Sequence, residues 1–177
     1  MLTVTGASMK RIIAIVLIVL GAAVVVASAG YFLLMQAVEN PGSEPLPNRL
    51  VMHPIVAQIT GSQAISEINQ MHGKVFLLTS GAVGVYGEGR QATLWISGTP
   101  GKWMAKRILI QMRDKIAEGN SPFTPIAERN INGRLVYELD GWGQKHFYFQ
   151  SGDLIVWLAA NGEDAEQALA ESLAFYP

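Results

Sequence analysis

Residues 126–160 read IAERNINGRLVYELDGWGQKHFYFQSGDLIVWLAA, and the turn signals spaced along them decide the fold. Asn132-Gly133 sits between two runs, 126–131 and 134–139, and is the strongest short-range signal for a two-residue type I′ hairpin, whose central residues both need φ > 0. Gly141-Trp142-Gly143 turns the chain into a strand at 145–150, and Ser151-Gly152-Asp153 turns it into another at 154–160. The stretch therefore predicts an antiparallel meander. Alternation groups Leu135, Tyr137 and Leu139 with Phe147 and Phe149 as a core side. It sends Val136, Glu138, His146, Tyr148 and Gln150 to the opposite side, with Trp157 or its neighbours.

Asn161-Gly162 ends the meander, and Glu163, Asp164 and Glu166 favour the positive end of a last helix carrying Ala165, Leu169, Leu173 and Tyr176. Upstream, Thr99 and Pro100 predict the cap and first turn of a long helix that stops at Gly119. Its Ala105, Ile108, Leu109, Met112 and Ile116 share one face, which is assigned to the core. Trp103 and Ile110 lie about 150° from that face at 100° per residue, with Lys106 and Arg113 in the sector between. Either the helix is buried on two sides, with the basic stems lying over apolar neighbours, or the stripe is a docking surface.

Earlier still, residues 91–97 read as a strand, and 75–80 and 82–86 as strand material broken near Gly81. Thr60 and Gln63 fit a capping box before Ala64, Ile65, Ile68 and Met71, with Gly73 as the stop. The predicted class is α+β: one antiparallel-sheet domain over residues 60–177, in the order α-β-β-α-β-β-β-β-α with helices on one face. Residues 36–59, with Pro41, Pro45, Pro47 and Pro54, read as an extended, stiff linker.

Before the linker, residues 12–35 are an unbroken apolar run, IIAIVLIVLGAAVVVASAGYFLLM. As a helix these 24 residues reach roughly 36 Å, enough to cross a hydrocarbon core of about 30 Å. Lys10 and Arg11 precede the run and the next basic residue is Arg49, so residues 1–11 are expected in the cytoplasm and the domain outside, on a single-pass anchor in the cytoplasmic membrane. The competing reading is a signal peptide cut after Ala27-Ser28-Ala29, which leaves the apolar residues 31–35 at the new N-terminus.

Two of the 13 basic residues precede the run, which leaves 11 against 14 acids, a net charge near −3 that argues against a nucleic-acid partner. The chain has no cysteine, which removes disulfides, thiolate metal sites and covalent haem attachment. Gly87-Glu88-Gly89-Arg90-Gln91-Ala92 matches the G-x-G-x-x-A pattern, but a strand follows where a helix N-terminus is required. His53, His72 and His146 lack the close spacing of metal ligands, and there is no G-x-S-x-G elbow. No cofactor, metal or catalytic residue is assigned. Asp140 and His146 bracket the Gly141-Trp142-Gly143 turn and are near enough in sequence to meet as a catalytic pair.

Two functions fit this pattern. The first is a non-catalytic membrane-tethered module that docks on another protein through Trp103, Ile110, Lys106 and Arg113, or through the sheet face with His146, Tyr148 and Trp157. The alternative is a small-ligand or sensor domain with an aromatic pocket near Trp142, Tyr148 and Trp157. A flat apolar patch favours the first and a deep pocket the second.

Overall fold

The computed structural model describes residues 6–177, so residues 1–5 of the expected cytoplasmic tail lie outside the described residues. The chain divides into two units, Met1–Gln36 and Ala37–Pro177. Helix α1, Gly6–Glu39, spans 34 residues, and Met9–Glu39 is long and apolar enough to cross a membrane. It runs past the apolar stretch at both ends because nothing opposes a helix before Asn40-Pro41, where the proline ring disfavours helical backbone in the residue before it.

In the second unit the strands are β1 (Gly42–Ser43), β2 (Arg49–Leu50), β3 (His53–Thr60), β4 (Ser80–Tyr86), β5 (Ala92–Gly98), β6 (Thr124–Ile131), β7 (Arg134–Gly141), β8 (Gln144–Ser151) and β9 (Leu154–Ala160). The helices are α2 (Gly61–His72), α3 (Lys102–Ala117) and α4 (Ala165–Phe175). The sheet runs β2-β3-β4-β5-β9-β8-β7-β6, antiparallel throughout, with β1 added in parallel to β4. It is two meanders, β2–β5 and β6–β9, that meet where β5 pairs with β9. The α+β class and the element order are those read from the sequence. The hairpin at Asn132-Gly133 has φ values of 52° and 81°, as a type I′ turn needs.

Several expectations are corrected. Helices cover both faces of the sheet. Leu169 and Leu173 of α4 and Tyr176 just after it pack with Tyr86, Leu94, Phe147 and Leu158 on one face. Helices α2 and α3 pack on the other, over Val83 and over Tyr137, Leu139 and Tyr148 respectively. The face grouping also changes. The two-residue turn Trp142-Gly143 pairs Gly141 with Gln144, so an odd-numbered residue of β7 faces an even-numbered one of β8, and Tyr137 lies opposite Tyr148 while Glu138 lies opposite Phe147. Tyr137 and Leu139 therefore share a face with His146, Tyr148 and Trp157, whereas Val136 sits with Phe147 and Phe149. Because both faces are covered, apolarity alone does not tell them apart.

The stretch 36–59 is extended but is no free spacer, since β3 pairs with β4 along its length and Leu50 is fully buried. Tyr86 donates its phenol to Pro47 O (3.0 Å) and Tyr176 to Pro45 O (2.7 Å), which fixes the proline strap onto the α4 face. Pro54 is tolerated in β3 because the outer neighbour there is the two-residue β2. Strand β4 is continuous through Gly81, while residues 75–79 are not in a strand. Thr60 stands at the N-cap of α2 without a side-chain capping bond, and Gly101, not Thr99, is the N-cap of α3. Thr99 instead places its hydroxyl within 3.0 Å of the carbonyls of Asp153 and Gly101. The face of α3 is as read: Ala105, Leu109 and Ile116 are buried, and Ile108 and Met112 pack beside them.

Candidate functional site

Pairing across the centre of the sheet lines up aromatic side chains on the α2/α3 face. Trp95 of β5 lies opposite Trp157 of β9, Trp157 opposite Tyr148 of β8, and Tyr148 opposite Tyr137 of β7. The rings of Tyr137 and Tyr148 stack at 4.7 Å, and those of Tyr148 and Trp157 at 5.1 Å, both nearly parallel. Such cross-strand rings stabilise the sheet and give its face a flat floor.

Helices α2 and α3 leave a cleft of about 260 Å³ over one part of that floor. Trp95, Ser97, Ile155 and Trp157 line it from the sheet. Ile68, Met71 and His72 come from α2, Phe76 and Leu78 from the segment after it, and Ile108 and Met112 from the half-buried edge of α3. Pro122, Phe123, Trp142 and His146 complete the wall at the end of the β7–β8 hairpin. Seven of the fifteen lining side chains are aromatic rings and none is a carboxylate, an ammonium or a guanidinium, so the cleft is suited to apolar matter.

Phe123 holds this wall together. Its ring meets Trp142 and His146 edge-on at 4.8 Å each and lies 5.1 Å from Trp157. It can do so because residue 141 is glycine: a Cβ there lies 2.5 Å from Phe123 Cδ1. Trp142 occupies the first central position of its turn with φ +51°, a left-handed conformation that a bulky residue seldom adopts, and is 72% exposed.

His146 is fully buried. Its Nδ1 accepts from Trp157 Nε1 at 3.1 Å, since an indole nitrogen only donates, and its Nε2–H therefore donates to Gly141 O, also at 3.1 Å. Both ring nitrogens are engaged and the ring is neutral. Burial pushes its pKa below the ordinary histidine value, an effect only partly opposed by the bond to Gly141 and the charge of Asp140. A catalytic pair with Asp140 does not assemble, because Asp140 pairs with Lys145 and lies on the opposite side of the sheet from His146. Among the described residues no group of three or more His, Asp or Glu is placed to hold a metal.

The other sequence candidates are dispersed. Tyr148 is buried under α3 and stacked behind Trp157, so His146 and Tyr148 form no open sheet surface. Trp103 is 64% exposed on the outside of α3, Lys106 is exposed and Ile110 is half-buried. Arg113 is paired with Asp114 at 2.6 Å. A wider groove of about 450 Å³ runs between the end of α3 and edge strand β6, with Arg113, Glu128 and Glu138 in its walls. Its aromatic rings are only those of Tyr137 and Tyr148, and with charged groups in its walls it is less suited to hold a small apolar molecule.

Trp142 and Trp157, singled out in the sequence, both reach the cleft, but Trp95, Phe76, Phe123 and the α2 side chains were not anticipated. They come from distant parts of the chain, and the one local signal for any of them is the position of Trp95 at the centre of a strand. Compared with known proteins, the chain matches no family model, no curated protein and no solved structure.

Proposed function

We propose that this protein is a non-catalytic binding module, held by α1 at the outer side of the cytoplasmic membrane, whose α2/α3 cleft takes a small apolar ligand. The observation that carries the reading is the cleft itself: about 260 Å³, seven aromatic rings, and no carboxylate, ammonium or guanidinium among its lining. The orientation is supported by Lys10 and Arg11 before α1's apolar run and the lack of basic residues from there to Arg49. The neutral, doubly bonded state of His146 supports a binding role over acid–base chemistry. A second reading, docking on another membrane protein, is favoured by the exposed Trp103 on α3, since aromatic anchors carry a large share of interface energy.

One experiment separates the two. The full chain is extracted from its own membrane and examined by native mass spectrometry as wild type, as Met112→Trp, which fills the cleft, and as Trp103→Ala. The ligand reading expects a bound small molecule that is lost in Met112→Trp and kept in Trp103→Ala. A stoichiometric protein partner lost in Trp103→Ala, with no small molecule in the wild type, favours docking instead.

A further inference from the structure

Resting on the cleft reading, the charge at its mouth defines the ligand class more narrowly. Met71 and Trp142 line the cleft and are 52% and 72% exposed, so it opens to solvent at these side chains. On the α2 side, His72 and Phe76 line it as well. Their rings meet edge-on at 5.2 Å, and the ammonium of exposed Lys74 stands 4.6 Å from the centre of the Phe76 ring. This contact holds a cation against a wall of the cleft. Among the described residues Lys74 has no carboxylate partner, and the lining contributes none. His72 donates Nδ1–H to Ile68 O at 2.7 Å, which leaves Nε2 as the ring nitrogen for a ligand; it accepts from a neutral head and, in the protonated ring, donates to an anionic one.

We infer that the cleft takes an amphiphile with an anionic head, its apolar part against the rings and its head at the mouth beside Lys74 and His72. Size follows by proportion: an apolar protein cavity of about 150 Å³ holds one benzene, so 260 Å³ has room for about ten apolar carbons. The head stays at the mouth because an unpaired charge is costly to bring into an apolar interior, whereas there it keeps water on one side and an ammonium on the other. A cationic head on the same chain meets Lys74 as a like charge, and a neutral head gains nothing from it.

The test is a titration of the full chain in zwitterionic lipid nanodiscs, with empty nanodiscs giving the partition of each probe so that affinities refer to its free aqueous concentration. The methyl resonances of Met71 and Met112, which line the cleft, serve as reporters in spectra of methyl-labelled methionine. The probes are octanoate, 1-octanol and octylammonium, which share one chain and differ in the charge of the head, and naphthalene, which has no head. Octanoate is expected to bind about three-fold more tightly than octanol and about ten-fold more tightly than octylammonium, the scale of one exposed ion pair gained or one like-charge contact avoided. Lys74→Met is expected to lower octanoate affinity about three-fold and leave octanol unchanged, and Lys74→Glu to reverse the order of octanoate and octylammonium. Lys74 is exposed, so both variants keep the fold. Octanol or octylammonium as tight as octanoate in the wild type overturns the anionic head, and an octanoate preference that both variants keep overturns its place beside Lys74; a naphthalene shift in either case leaves the cleft reading standing. No shift of either methionine with any probe overturns the cleft itself.

Discussion

His146 shows how a single residue changes meaning once its surroundings are known. In the sequence it is one of three scattered histidines; in the fold it is a buried linker between Trp157 and Gly141. Its folded pKa is depressed, so protonation favours the unfolded chain. Its share of stability is complete above the unfolded value of about 6.5 and declines as pH falls below it. Urea unfolding is expected to show a midpoint that drops from pH 7.5 to pH 5.5, with a smaller drop in His146→Gln; equal drops in the two chains contradict this. Trp142 is the opposite kind of residue, exposed and strained. Trp142→Asn relieves the left-handed backbone, which costs about 1–2 kcal/mol for most side chains, and gives up the edge contact with Phe123, worth about 0.5–1.5 kcal/mol. Stability by chemical unfolding is expected to stay within about 1 kcal/mol, while the affinity for an apolar probe such as naphthalene falls because a wall of the cleft is lost. A large loss of stability with unchanged affinity argues that Trp142 is purely structural.

At the scale of elements, the parts legible in the sequence are those with local causes. Asn132-Gly133 makes its hairpin because only residues tolerant of φ > 0 fit the turn, and the core face of α3 follows from its 3.6-residue period. What was not legible depends on tertiary context. The pairing of β7 with β8 hinges on whether Gly141 belongs to the turn or to the strand, and that one-residue difference swaps the faces of Tyr137 and Glu138. Glu138 consequently points to the α4 face, where it is 6% exposed and bonded to Lys145 at 2.6 Å and Arg129 at 3.2 Å. Arg129 in turn grips Glu166 of α4 through two bonds of 2.7 and 2.9 Å. This network ties β6, β7, β8 and the start of α4 together. Breaking a fully buried pair costs about 3–5 kcal/mol; with both cations roughly a third exposed, Glu138→Gln is expected to cost about 1–3 kcal/mol in urea unfolding. A change below about 0.5 kcal/mol contradicts the role given to the network.

For the whole molecule, the main departure from the sequence reading is where the domain begins. Prolines at 41, 45, 47 and 54 read as a spacer because proline removes donors, yet the strap is held by the phenols of Tyr86 and Tyr176, and by Glu171, whose carboxylate accepts the N–H of Val51 at 2.6 Å. A fragment of residues 41–177 is therefore expected to unfold cooperatively, whereas 60–177 loses β1, β2 and β3 and leaves the core uncovered where Leu50 packs. Circular dichroism with urea titration checks this, and equal midpoints for the two fragments contradict the boundary. The cleft depends on the same assembly. Its lining is drawn from α2, the segment after it, β5, α3, the segment before β6, the β7–β8 turn, β8 and β9, so it exists only when both meanders are joined at β5 and β9.

The most direct test of the central claim, that the α2/α3 cleft is a binding cavity and not a loosely packed stretch of core, is the stability and ligand response of Met112→Trp measured together. Filling a real cavity is expected to raise the stability of the domain by about 0.5–2 kcal/mol in urea unfolding and to abolish the shift that naphthalene causes in the methyl resonance of Met71, which lines the cleft. A loss of about 1–3 kcal/mol, as overpacking a filled core produces, together with a naphthalene response that survives the substitution, contradicts the account.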